Sequence, residues 1–90
     1  MKTYLIYFHE WNREHERIVK CIKKFEHHSM VSHNVWLIRS DMNVVSIRNI
    51  FNNLSNGKPL FVLDISTGNW ASISVNNDSI RFLKHRCIIK

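Results

Sequence analysis

Tyr4-Leu5-Ile6-Tyr7-Phe8, residues 4 to 8, run without a polar break and stop against His9-Glu10. A strand with one wet face alternates apolar and polar side chains, so an unbroken apolar run marks a strand covered on both sides. Two further segments behave alike: Val35-Trp36-Leu37-Ile38-Arg39 and Leu60-Phe61-Val62-Leu63-Asp64-Ile65. A chain of 90 residues makes one domain, residues 1–90, and has little left to cover a second sheet face. A partner surface is therefore expected, with Tyr7, Phe8, Trp36 and Phe61 as dimer contacts.

Between these strands the pattern changes period. From Trp11 to about Glu26 the residues Ile18, Cys21, Ile22 and Phe25 fall at helical spacing, with Asn12 as a cap and Glu14 in the first turn. His27 to Val31 reads as a short strand, and Ser32-His33-Asn34 turns it into the strand at Val35. Asp41 or Asn43 caps a second helix striped by Val44, Ile47, Phe51 and Leu54, which Gly57 and Pro59 terminate. After the strand ending at Ile65, Thr67-Gly68-Asn69 predicts a turn and Trp70 to Val75 an edge strand. Asn76-Asn77-Asp78 then caps a last helix carrying Ile80, Leu83 and Cys87. The expected fold is α+β: a ferredoxin-like β-α-β-β-α-β unit with an antiparallel sheet and both helices on one face, plus a short C-terminal strand and helix extension.

The composition excludes some classes. An apolar content of 44% with 22% charged residues is that of a globular domain rather than a disordered chain. No apolar run reaches the length of a membrane span, and no signal-peptide pattern precedes the first strand, so a cytoplasmic protein without a membrane partner is expected. Cys21 and Cys87 are then reduced packing residues. Thirteen Lys and Arg against seven Asp and Glu leave a formal charge of +6, which favours an acidic partner, nucleic acid first. Arg13, Arg17, Arg39 and Arg48 are the candidate phosphate contacts.

Six histidines invite a metal reading, but their spacing does not supply one. His9-Glu10 would need a histidine at position 13 to form the zinc-protease pattern, and that residue is Arg13. His27 and His28 are neighbours, and His33 sits in a turn, so no metal ligand is assigned. Trp11, Trp36 and Trp70 read as packing rather than base-stacking residues. Asp64, inside an apolar strand, is expected to be partly buried and paired with Arg39 or a backbone donor.

Three segments carry a family resemblance: Met1 to Phe8, Val35-Trp36-Leu37-Ile38-Arg39-Ser40-Asp41, and Leu63-Asp64-Ile65-Ser66-Thr67-Gly68-Asn69-Trp70-Ala71. Together they resemble the small CRISPR adaptation nuclease and VapD-like superfamily, in particular its stand-alone bacterial members described as SinR-like. Thr67 to Ala71 is the most specific part. The resemblance implies a ferredoxin-like homodimer, with an Asp at the end of the first strand binding a divalent metal at the dimer interface. Here that position is His9, and a neutral imidazole is a poor ligand for Mg²⁺. The expectation is a dimer with a degenerate metal site and no cofactor, which binds nucleic acid or a larger protein assembly in defence or mobile-element biology. Two alternatives accompany it. One is a protein-binding inhibitor or regulator encoded by a phage or mobile element, in keeping with the richness in Asn, Ile and Lys. The other is a toxin-type endoribonuclease that cuts through His9 or Asp64.

Overall fold

The elements follow in the order β1 (Lys2–Phe8), α1 (Asn12–Ile22), β2 (His27–Ser32), β3 (Val35–Ser40), α2 (Val44–Ser55), β4 (Leu60–Asp64) and α3 (Asn77–His85). This is a computed structural model. It describes residues 1–8, 12–67 and 76–85, with residues 12, 13, 84 and 85 described in backbone only. The edge strand expected at Trp70 to Val75, as well as His9, Trp11 and Cys87, lies outside the described residues.

The four strands form one antiparallel sheet in the order β2-β3-β1-β4. Tyr4 stands opposite Ile38 on one side and Asp64 on the other, which fixes the register of the centre. The protein is a small α+β fold with a four-stranded antiparallel sheet, and its strand order is consistent with the ferredoxin-like reading.

Strand periodicity sorts the side chains between two faces. Tyr4, Ile6 and Phe8, with Trp36 and Ile38, point to the face that also receives Ile18 and Ile22 of α1 and Ile47 and Phe51 of α2. Phe25 and Phe51 stack with centroids 6.3 Å apart and tie the end of α1 to α2. Val44, expected in the α2 stripe, is instead exposed. Helix α1 stops at Ile22 rather than Glu26, because Lys24 and Phe25 donate to the carbonyls three residues back and tighten the last turn. Asn43 caps α2, its side chain accepting from the Ser46 N–H at 2.8 Å. Asn56 (φ 50°) and Gly57 (φ 78°) both enter the left-handed region that ends the helix.

The second face was expected to be bare, and it is not. Helix α3 lies against β2 on that side, held mainly by polar contacts. Ser29 Oγ donates to Asp78 Oδ2 at 2.8 Å and meets Ser79 Oγ at 2.8 Å. Ser79 Oγ and Asn76 Nδ2 both donate to the Met30 carbonyl. Arg39 donates to the Phe82 carbonyl at 3.1 Å, and its Cζ sits 4.0 Å from the Phe82 ring centroid. The correction has a simple cause: the residues joining helix to sheet are serines, an asparagine and an arginine, which hydropathy patterning does not score.

Phe51 is fully buried between α1 and the sheet, whereas Val45 on the same helix is 52% exposed. Phe51→Ala is expected to cost about 3–5 kcal/mol in urea unfolding, and Val45→Ala less than about 0.5 kcal/mol. Equal effects of the two changes would refute this account of the core.

Candidate functional site

What α3 leaves uncovered is the β1–β4 half of the second face. Leu5 stands opposite Leu63, and Tyr7 opposite Phe61, whose ring stacks on it with centroids 5.1 Å apart. Phe61 is 47% and Leu63 49% exposed, while Leu5 and Tyr7 are half-buried. This is an apolar patch of aromatic and aliphatic side chains on a rigid sheet, the kind of surface that marks an interaction site.

Two of the four expected dimer contacts are absent from it. Phe8 is 1% and Trp36 5% exposed, both beneath the helices in the chain's own core. The sign of the strand alternation decides this: even-numbered residues of β1 and β3 face α1 and α2, and odd-numbered ones the second face, which α3 shares with the patch. Tyr7 and Phe61 have the right parity, and Leu5 and Leu63 belong with them. Their i, i+2 spacing and opposed register were the available signal, and an unbroken apolar run hides it.

The four candidate phosphate contacts separate as well. Arg17 and Arg48 are exposed on the helix layer, along with Lys20, Lys23 and Lys24. Arg48 donates from Nε and Nη2 to Asn49 Oδ1, which steadies its guanidinium at the surface. Arg13 belongs to α1, but its side chain lies outside the described residues. Arg39 has another task. Burial beneath α3 lowers its pKa, and its Nε is buried without a hydrogen-bond partner. Its contacts to Phe82 make it a docking residue for α3 rather than a phosphate contact.

Asp64 has the expected backbone donor but not the expected burial. It is exposed, and its Oδ1 accepts from the Ser66 N–H at 3.0 Å, forming a local turn at the end of β4. Arg39 does not pair with it. Hydrogen bonding to the Ser66 side chain and backbone holds its carboxyl below the usual aspartate range, with Lys2 adding to the effect. A depressed pKa makes a carboxylate a weaker base, so this environment does not favour acid–base work by Asp64. On the inner face, burial and then the charge of Asp64 push the Tyr4 hydroxyl pKa up, and that hydroxyl donates to the Met42 carbonyl at 2.6 Å.

Two of the described histidines make structural hydrogen bonds. His15 Nε2 bonds the His33 carbonyl at 2.9 Å, and His28 Nδ1 bonds the Phe25 carbonyl at 2.9 Å. Among the described residues no cluster of three metal-ligating side chains occurs. Cys21 is a free thiol whose pKa burial pushes up. Among the described residues no helix is long and apolar enough to cross a membrane. In comparisons with known proteins, the chain matches no family model and no curated protein.

The Asp64 turn carries a pH signature. Because its pKa is lower folded than unfolded, its contribution to stability is present above the unfolded value, about 3.9, and is lost as pH falls through the folded value. Asp64→Asn is therefore expected to lower the melting temperature slightly at pH 7, with a deficit that shrinks as pH falls below the unfolded value. A deficit that stays undiminished as the pH is lowered would show that the charge of Asp64 is not the cause.

Proposed function

We infer that the chain is a small ferredoxin-like homodimer of the adaptation-nuclease type that binds nucleic acid through its helix layer and does not depend on metal-assisted cleavage. The observation that carries the binding reading is the distribution of charge on that layer. Arg17, Lys20, Lys23, Lys24 and Arg48 are all exposed, and among the described residues no ion pair engages them. Helix α2 contains no acidic residue at all. Cations left unneutralised on one layer of a protein with formal charge +6 offer a surface on which phosphates can displace their counterions.

The dimer half of the reading is supported by the exposed Phe61 and Leu63 beside Tyr7. The doubt about catalysis rests on His9 in the position of the family's metal-binding Asp, and on the depressed pKa of Asp64. Membership of the superfamily rests on the resemblance of the three segments alone.

Two measurements test the proposal. Binding to a short duplex and to a single strand is expected to weaken steeply between roughly 50 and 200 mM salt, and Arg17→Glu with Arg48→Glu is expected to reduce the salt slope by about two units if each arginine meets one phosphate. No binding at the lowest salt would overturn this reading in favour of the protein-binding regulator. Incubation with RNA and duplex DNA, with and without Mg²⁺, is expected to yield no cleavage. Cleavage that His9→Ala abolishes would establish the endoribonuclease alternative instead.

A further inference from the structure

The outer face of α2 has an unusual composition for a helix in water. Val45, Asn49, Asn52 and Asn53 follow at i, i+4, i+7 and i+8, and all four are exposed. Asparagine is among the weaker helix formers, because its short amide competes for backbone groups. A face that only has to stay wet is better filled by Lys, Glu or Gln. This one presents three neutral amides and an apolar side chain, and the helix holds no acidic residue.

Arg48 stands apart from that face. A helix turns about 100° per residue, which sets Arg48 beside Phe51. The Phe51 ring stacks on Phe25 at the end of α1, so Arg48 lies on the flank of α2 nearest that helix. There Arg17, Lys20 and Lys24 are exposed at i, i+3 and i+7 of α1. Arg48 Nε and Nη2 donate to Asn49 Oδ1 at 3.3 and 2.9 Å, which occupies that carbonyl and leaves the Asn49 NH2 group to donate.

We propose that α2 reads bases: its Val45, Asn49, Asn52 and Asn53 face enters the major groove of duplex DNA at A·T base pairs, while Arg48 and the cations of α1 hold the phosphates at the rim. This rests on the nucleic-acid reading above and names its substrate class. The side chains match the chemistry of that groove. An asparagine amide accepts from adenine N6 and donates to N7, which suits Asn52 and Asn53. Thymine offers the O4 acceptor to the Asn49 NH2 group, and its methyl group to Val45.

The dimensions match as well. The major groove of B-form DNA is about 12 Å wide and admits one α-helix. Packed helices run roughly 8–10 Å apart, so with α2 in the groove α1 lies over the sugar–phosphate strand beside it. Cations therefore fall where the phosphates are, and neutral amides fall where base edges are. The major groove of an RNA duplex is too narrow for this arrangement, which makes DNA the occupant.

The test compares duplexes of equal length with mixed A·T or mixed G·C cores, bound by the full chain at low salt. The A·T core is expected to bind roughly tenfold or more tightly. Replacing its adenines with 7-deazaadenine removes N7 but keeps base pairing and the minor groove, and is expected to abolish the preference. Asn52→Ala with Asn53→Ala is expected to lower A·T binding to the level of the G·C core, with circular dichroism retained because alanine favours an exposed helix. Equal binding of both cores, a preference that survives either change, or equal binding of an RNA duplex would overturn base reading by α2 and leave the nucleic-acid reading standing. No binding of any duplex or single strand at the lowest salt would overturn the nucleic-acid reading and this inference with it.

Discussion

Burying both sides of β1 is the demand that the rest of this structure answers. Tyr4, Ile6 and Phe8 are buried on the face the helices α1 and α2 cover, and Thr3 is buried on the opposite one. Helices α1 and α2 cover one face with Ile18, Ile22, Ile47 and Phe51. The other face receives α3, which is short and reaches only the β2–β3 half. Each fully buried aliphatic or aromatic side chain contributes roughly 1.5–3 kcal/mol relative to an exposed one, so the covered face carries most of the stability. The uncovered half retains Phe61 and Leu63 in contact with water.

Helix α3 is attached by a different kind of force from the other two. Its junction with the sheet is a polar cluster of Ser29, Asn76, Asp78 and Ser79, together with the stacked Arg39 and Phe82. Such a junction is specific in direction, because its hydrogen bonds require particular donors and acceptors to be brought into line. The same contacts close the outer edge of β2 through the Met30 carbonyl. One short helix thus covers half a face and protects one edge.

Much of the fold was legible in the sequence. The three apolar runs, the helical spacing of Ile18, Cys21, Ile22 and Phe25, the Asn43 cap and the break at Gly57 all reappear close to their expected places. These features are local, and local chemistry fixes them. The docking of α3 was not legible, since Ser29 and Ser79 are 50 residues apart and carry no hydropathy signal. The site was read less well for a related reason. An all-apolar strand does not announce which parity faces the helices, so Phe8 and Trp36 were expected at the surface beside Tyr7 and Phe61. Asp64 was expected to meet Arg39 or a backbone donor, and the backbone donor is the partner it has, within its own turn, while Arg39 serves the last described helix.

The two surfaces that the proposals use lie on opposite sides of the sheet. The exposed cations Arg17, Lys20 and Arg48 belong to the helix layer, while Phe61 and Leu63 open on the other face. Association of copies through Phe61 and Leu63 would bury none of these cations, and phosphates held on the helix layer would cover neither apolar side chain. Each cation that meets a phosphate releases a counterion whether or not the chain is paired. The two proposed properties therefore draw on separate residues, and a change that removes one leaves the other to be measured.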